Sequence, residues 1–188
     1  MTCEERFARA QRILVNTGLL DRLKAIGVPH VVGSCRMKMR AWNDLDIDIE
    51  NGAMNREKLY ALTGYILQTF SPVWYEAKEV VNDEGKTVWF HGFEAVVEGE
   101  LWNFDLWFFD EETIVKAEAY CDSVADRCEA LAGSREAILS IKQELICREL
   151  YSFEKYTSID VYRAVLEQGI YTAEEFLDQY VKPERNTI

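Results

Sequence analysis

The sequence predicts an α/β (α+β) domain, a mixed β-sheet flanked by helices, over residues 1–109 and an all-helical part over residues 110–188. In the first region β-rich runs are interleaved with helical periodicity, whereas only helical periodicity and helix capping signals follow it. No stretch of linker composition separates the two regions. We therefore expect the helical part to pack on the α/β core.

Each element of the core has its own signal in the chain. Gly18 follows the first helical pattern as a stop, and Pro72 breaks a later one. Apolar residues at helical spacing predict helices over residues 3–16, 19–26 and 55–69, and β-rich runs predict strands over residues 30–32, 44–50, 73–81, 87–97 and 101–109.

The helical part begins at Asp110, a suitable N-cap because its side chain can accept a hydrogen bond from the first turn. One apolar seam runs along the helix that follows. Cys121 and Cys128 lie on this seam, which predicts that both are small core residues. Further helices are predicted from Ser134, over residues 158–168 and over residues 172–181.

Composition excludes several classes of protein. A net charge of −12 disfavours binding to long nucleic acids, which are held by basic surfaces. No apolar run is long enough to span a bilayer, so we expect no membrane contact and a cytoplasmic location. The five cysteines form no CxxC pair, which is typical of reduced thiols, and two histidines make a structural zinc site improbable. Nothing in the sequence sets an oligomeric state.

The strand over residues 44–50 carries the main functional signal. Acidic and branched apolar residues alternate along it, so Asp44, Asp46 and Asp48 share one face. Three like charges on one face repel each other, and a divalent cation held by carboxylate oxygens is one reason to place them there. The alternative is an ordinary solvated face on an edge strand.

Two further features make the metal hypothesis stronger. Gly33-Ser34 follows the first strand, where a small residue lets backbone N–H groups and a hydroxyl approach an anion closely. Asp105 is an isolated acid in the apolar strand over residues 101–109. If that strand lies beside residues 44–50, Asp105 completes a triad of carboxylates. Carboxylates that hold Mg²⁺ beside a phosphate-binding turn suit phosphoryl or nucleotidyl transfer.

Three basic residues follow the Gly-Ser pair: Arg36, Lys38 and Arg40. They suit binding of a triphosphate, and they equally suit an ordinary charged face. The sequence leaves both interpretations open.

These residues together resemble the nucleotidyltransferase-fold superfamily, in which Gly-Ser precedes an Asp-x-Asp strand. Residues Met39–Ile47 are similar to the motif of small bacterial nucleotidyltransferases that act on aminoglycosides and lincosamides, where an Arg precedes the acidic pair as Arg40 does. The segment around Asp105 resembles their later acidic strand. The resemblance covers residues 28–109 and implies a mixed sheet with Mg²⁺ and a nucleoside triphosphate at its edge.

The register of the acidic motif has two solutions, because Asp44/Asp46 and Asp46/Asp48 both fit Asp-x-Asp. The nine residues between Ser34 and Asp44, and the position of Arg40, favour Asp44/Asp46, with Asp48 as a possible further ligand. The chain departs from the family after Gly-Ser, where Cys35-Arg36-Met37-Lys38 replaces the small residue that many members carry.

The predicted function is Mg²⁺-dependent transfer of a nucleoside monophosphate from a triphosphate such as ATP to a hydroxyl of a small-molecule acceptor. A catalytically inactive nucleotide-binding or regulatory module of the same fold is the alternative. The predicted site has catalytic and metal-binding Asp44, Asp46 and Asp105, and nucleotide-binding Gly33, Ser34, Arg36 and Arg40.

Overall fold

A computed structural model describes residues 3–82 and 84–180 of the chain. In chain order the elements are α1 (Cys3–Asn16), α2 (Leu19–Lys24), β1 (Pro29–Val31), α3 (Gly33–Arg36), β2 (Asp44–Glu50), α4 (Arg56–Phe70), β3 (Trp74–Val81), β4 (Thr87–Val97), β5 (Glu100–Phe109), α5 (Glu111–Ala130), α6 (Ser134–Cys147), α7 (Ser158–Gln168) and α8 (Ala173–Gln179). The predicted class, a mixed sheet flanked by helices, is confirmed.

The sheet has five strands in the order β1-β2-β5-β4-β3. Strands β2 and β5 pair in parallel, and the other neighbouring strands pair antiparallel. A parallel pair needs a long crossover, and here the chain between β2 and β5 supplies α4, β3 and β4. This parallel pair sets the two acidic strands side by side at the centre of the sheet.

One face of the sheet forms the main core. Because side chains alternate along a strand, Leu45, Ile47 and Ile49 of β2 enter this core and its acids point the other way. Phe104 of β5 stacks on Phe93 of β4, with ring centroids 4.5 Å apart. The helices contribute Ala10, Ile13, Leu14, Leu19, Leu23, Leu59, Leu62, Ile66 and Phe70 to the same cluster.

The chain divides into two compact units, Met1–Cys121 and Asp122–Ile188, and the division falls within α5. In the second unit, apolar residues of α6, α7 and α8 are buried, and the ring of Phe176 stacks on Tyr180 at 4.8 Å. Among the described residues, no helix combines the length and apolarity needed to cross a bilayer.

His91 is an ionisable side chain in the interior of the protein, and the apolar pattern of its strand does not predict its burial. His91 on β4 is fully buried, and its Nδ1 lies 2.9 Å from the hydroxyl of Tyr75. Burial lowers the pKa of His91 from 6.5 to about 4, because the charged imidazolium is poorly solvated there.

Because the pKa of His91 is lowered, we predict that the free energy of unfolding is smaller in acid. Between the two pKa values the unfolded chain binds a proton that the folded chain does not, so the free energy of unfolding falls as the pH drops from about 6.5 to about 4. The contribution is about 3 kcal/mol over the whole window. Urea unfolding at about pH 7 and about pH 4.5 should show a smaller acid loss for His91→Phe than for the wild type. An equal loss in both proteins would contradict the assignment to His91.

Candidate active site

Three carboxylates converge at the centre of the sheet, on the face opposite the main core. The parallel pairing of β2 and β5 sets Asp46 opposite Asp105 and Asp44 opposite Asn103. One oxygen each from Asp44, Asp46 and Asp105 lies within 4.8 Å of the others. Asp44 is buried, and the other two acids are half-buried. The strand pairing that a triad requires is therefore present.

The electrostatics of this cluster favour a cation. Burial, and after it the neighbouring carboxylate of Asp44, raise the pKa of Asp105 to about 6. Because the unfolded carboxyl releases its proton at lower pH, this group lowers the stability of the metal-free protein as the pH rises towards about 6. The ligand set consists of carboxylate oxygens alone, which fits a hard divalent ion such as Mg²⁺.

Gly33 brings the backbone against one of these acids. It begins α3 with a φ of 60°, a left-handed conformation that favours glycine. A Cβ atom placed on Gly33 would lie 2.1 Å from Oδ2 of Asp46, closer than atoms can approach. The backbone N–H of Val32 donates to the carbonyl of Asp46 at 3.1 Å and fixes this approach. Ser34, the next residue of α3, is buried.

Arg36 lies at the end of α3 in a network of ion pairs. Its Nη1 donates to Oε1 of Glu118 on α5 at 2.7 Å, and Nδ1 of His30 lies 3.3 Å from the same oxygen. The Arg36 side chain is about one-third exposed. The structure thus keeps Arg36 on the helix that begins at the Gly-Ser pair, and gives its guanidinium a carboxylate partner.

Arg40 is buried between α1 and β5. Its side chain is 2% exposed, and its Nη1 donates to the backbone carbonyl of Arg6 on α1 at 3.1 Å. The guanidinium carbon lies 5.8 Å from the ring centroid of Trp102, whose side chain belongs to the core face of β5. The cation–π contact and the backbone acceptor hold Arg40 in the protein interior.

Asp48 lies one pleat beyond the three carboxylates and is not grouped with them. Its register partners are His30 on β1 and Trp107 on β5, so no acid faces it across the sheet. Asp48 is buried, and burial raises its pKa to about 6, against a lowering effect of His30. Of the two possible motif registers, the structure brings together Asp44 and Asp46.

Comparison with known proteins identifies the fold. No protein-family model matches the chain, and no curated protein matches it. The Cid1 poly(U) polymerase, solved with Mg and 3′-dATP, aligns with a TM-score of 0.58 at 15% identity over 86% of this chain. A cytoplasmic RNA terminal U-transferase aligns with a TM-score of 0.57 at 15% identity over 86% of this chain. The non-canonical poly(A) polymerase complex GLD-2–GLD-3 aligns with a TM-score of 0.56 at 11% identity over 95% of this chain. The chain has the nucleotidyltransferase fold.

This chain spans 49%, 47% and 60% of the lengths of those three chains. At these identities the likeness is one of fold. The predicted fold is confirmed, and the resemblance to the antibiotic nucleotidyltransferases stays a prediction.

The sequence pattern did not single out Asn103, which the structure places in the candidate site. The side-chain amide of Asn103 donates two hydrogen bonds, one to Oδ1 of Asp44 at 2.8 Å and one to Oδ2 of Asp105 at 3.3 Å. The signal was present in the chain, because Asn103 is a polar residue two positions before Asp105 in an otherwise apolar strand.

The surface beside Asp105 on this face of the fold is aromatic and acidic. Gly92 of β4 is the register partner of Asp105, and a Cβ placed on it would lie 2.6 Å from the ring of Phe90 and 2.9 Å from Trp74. The Trp74 side chain is 45% exposed. Glu94, half-buried, pairs with Asn103 in the neighbouring position. An open aromatic ring and a carboxylate therefore flank the candidate reaction centre.

Proposed function

We propose that this protein is a Mg²⁺-dependent nucleotidyltransferase that moves a nucleoside monophosphate from a nucleoside triphosphate to a hydroxyl group. The observation that carries the proposal is the convergence of Asp44, Asp46 and Asp105 on one face of the sheet, beside the start of α3 at Gly33. Two acids from one strand, a third from its parallel neighbour and a close backbone approach are the parts that this chemistry requires.

Each residue has a role in the proposed reaction. Asp44, Asp46 and Asp105 would hold Mg²⁺, which when bound neutralises charge on the phosphates of ATP or another triphosphate. Gly33 and Ser34 would bind the phosphates through backbone N–H groups and the hydroxyl. Arg36, on the same short helix, is the basic residue best placed to assist. The burial of Arg40 argues for a structural role instead.

We assign to Asp105 the role of the base that takes the proton from the acceptor hydroxyl. The hydroxyl oxygen of the acceptor attacks the α-phosphorus, a new P–O bond forms, and the bond to pyrophosphate breaks. The proton of that hydroxyl moves to the Asp105 carboxylate, whose pKa near 6 is raised by burial and by Asp44. That pKa belongs to the metal-free protein; bound Mg²⁺ would lower it, which keeps the carboxylate ionised at neutral pH.

We propose a small, cationic, ring-bearing molecule as the acceptor. The net charge of −12 and the carboxylate of Glu94 on the sheet face that carries Asp105 disfavour a polyanion, whereas Glu76 on that face is paired with Lys78 at 3.2 Å. Trp74 offers a flat surface to a ring or a cationic group. The poly(U) and poly(A) polymerases of the same fold are named for RNA products, which makes an RNA end the competing acceptor.

An acceptor screen tests this proposal. The protein is incubated with Mg²⁺ and ATP labelled on the α-phosphate, together with aminocyclitols, nucleosides or short oligoribonucleotides, and Asp105→Asn is the matched control. We expect label on an aminocyclitol-type acceptor and none with the variant. Label on the oligoribonucleotides alone would overturn the proposed acceptor. ATP binding without transfer to any acceptor would favour the inactive nucleotide-binding module.

Trp74→Ala is expected to weaken binding of the acceptor without affecting the triphosphate. Stacking on an aromatic ring is worth about 1–3 kcal/mol, so the KM for the acceptor should rise about 5- to 150-fold while the KM for ATP stays unchanged. Steady-state kinetics measure both constants. Tyr60→Ala is the control, since Tyr60 is also an exposed aromatic residue but lies on α4. Equal acceptor KM values for the two variants would contradict the role of Trp74.

A further inference from the structure

We propose that Asn103 is a positioning residue that orients Asp44 and Asp105 for the divalent cation. This inference rests on the proposed function, and it concerns how the protein prepares the metal site before the ion arrives. Asn103 itself carries no charge and supplies no ligand in this account. It acts through the two carboxylates that its amide contacts.

The geometry of the amide is the first support. A primary amide nitrogen has two N–H donors, and Nδ2 of Asn103 directs them to different carboxylates, Oδ1 of Asp44 at 2.8 Å and Oδ2 of Asp105 at 3.3 Å. One of these acids belongs to β2 and the other to β5, so the amide links the two strands on the site face. One oxygen of each carboxylate is not engaged by this amide.

The backbone fixes the amide in place. Asn103 is paired in register with Asp44, and its backbone N–H donates to the carbonyl of Asn43 at 2.9 Å. Its neighbours in sequence, Trp102 and Phe104, are fully buried in the core. The side chain of Asn103 therefore projects from an anchored part of the strand, and the direction of its amide is set by the sheet.

The charge balance explains why an amide suits this position. Asp44 and Asp105 carry like charges with oxygens within 4.8 Å of each other, so they repel, and the amide of Asn103 donates to both. A carboxylate at position 103 would add repulsion, and a cationic side chain would compete with the metal ion. A neutral donor steadies both acids and leaves their charge available for Mg²⁺.

Binding of Mn²⁺, followed by electron paramagnetic resonance, tests this role in the full chain without any acceptor. Residues that hold metal ligands in place typically contribute about 10–100-fold to metal affinity. We expect Asn103→Leu and Asn103→Ala each to weaken Mn²⁺ binding by about that factor. Asn43→Ala is the matched control, because the Asn43 amide donates to Glu100 and to the Leu101 carbonyl rather than to the three acids. It should bind Mn²⁺ like the wild type.

The two variants separate the hydrogen bonds from packing. Asn103→Leu fills a similar volume without donors, whereas Asn103→Ala also removes bulk, and urea unfolding in EDTA shows that each is folded. Wild-type Mn²⁺ affinity in either folded variant would overturn the proposal for Asn103 and leave the proposed function standing. A wild-type protein that binds no Mn²⁺ would overturn the metal site of the proposed function, and the role of Asn103 with it.

Discussion

Asp46→Asn is expected to lower the rate of nucleotidyl transfer by about three orders of magnitude or more. Asp46 lies opposite Asp105 in the sheet and against Gly33, so it joins the proposed metal ligands to the turn that we propose binds phosphate. Replacing its carboxylate removes a charged ligand for Mg²⁺, a loss of several kcal/mol of transition-state stabilisation. Release of pyrophosphate from labelled ATP under saturating acceptor measures the effect.

Asp48→Asn is the matched control for this experiment. It makes the same chemical change two residues further along β2, on the same face, at an acid that faces His30 rather than Asp105. We expect less than about a tenfold loss, because Asp48 is outside the group of three converging acids. A loss for Asp48→Asn as large as that for Asp46→Asn would support the other motif register, Asp46/Asp48, and contradict the site described above.

Gly33→Ala is expected to have the second largest effect. The new Cβ would lie 2.1 Å from Oδ2 of Asp46, so either the carboxylate or the start of α3 must move. The residue also has a φ of 60°, which costs an L-amino acid about 1–2 kcal/mol. We expect a loss of stability of about 2–4 kcal/mol and a fall in activity of at least about 100-fold, since small displacements of catalytic groups are costly. Urea unfolding and transfer kinetics measure the two effects.

Gly85→Ala is the control that separates the effect of the Cβ contact at Gly33 from the effect of its left-handed backbone conformation. Gly85 has a φ of 74°, but a Cβ placed there would meet nothing within 4 Å. The substitution should therefore cause only the conformational part of the destabilisation and should leave transfer unchanged. If the two alanine variants lose equal stability and Gly33→Ala remains active, the close approach of Gly33 to Asp46 has no functional role.

The features that the sequence predicts well are local ones. The alternation of acids with Leu45, Ile47 and Ile49 sets both faces of β2, because a strand has a period of two residues and only one face can enter the core. Helix periodicity and stop residues place α1, α4 and α5 within a few residues of their observed bounds. Asp105 could be singled out because an acid inside an apolar strand needs a partner.

The features that the sequence does not predict depend on contacts between distant segments of the chain. The β1-β2-β5-β4-β3 order follows from which strands pair, and the pattern of one strand does not name its neighbour. Arg40 lies among basic residues that suit triphosphate binding, yet its guanidinium is buried against Trp102. That burial depends on α1 and β5, which lie far from Arg40 in the chain.

The aromatic residues illustrate the same limit. For Trp42, Trp74, Trp89 and Trp107 the sequence favours packing in the core over stacking on a base or sugar. The structure instead leaves Trp74 45% exposed, because the side chain at the start of β3 projects from the sheet face that carries Asp105. The identity of a residue sets its preference for burial, but the topology decides which face it occupies.

The central claim is that the three converging acids form a divalent metal site that binds a nucleoside triphosphate. Calorimetric titration of the wild type and of Asp46→Asn with ATP, in the presence of Mg²⁺ and again in EDTA, tests it most directly. We predict that the wild type binds ATP at least about tenfold more tightly with Mg²⁺ than in EDTA, and that Asp46→Asn loses this metal-dependent gain. Equal Mg²⁺-dependent binding of ATP by the two proteins would contradict the account.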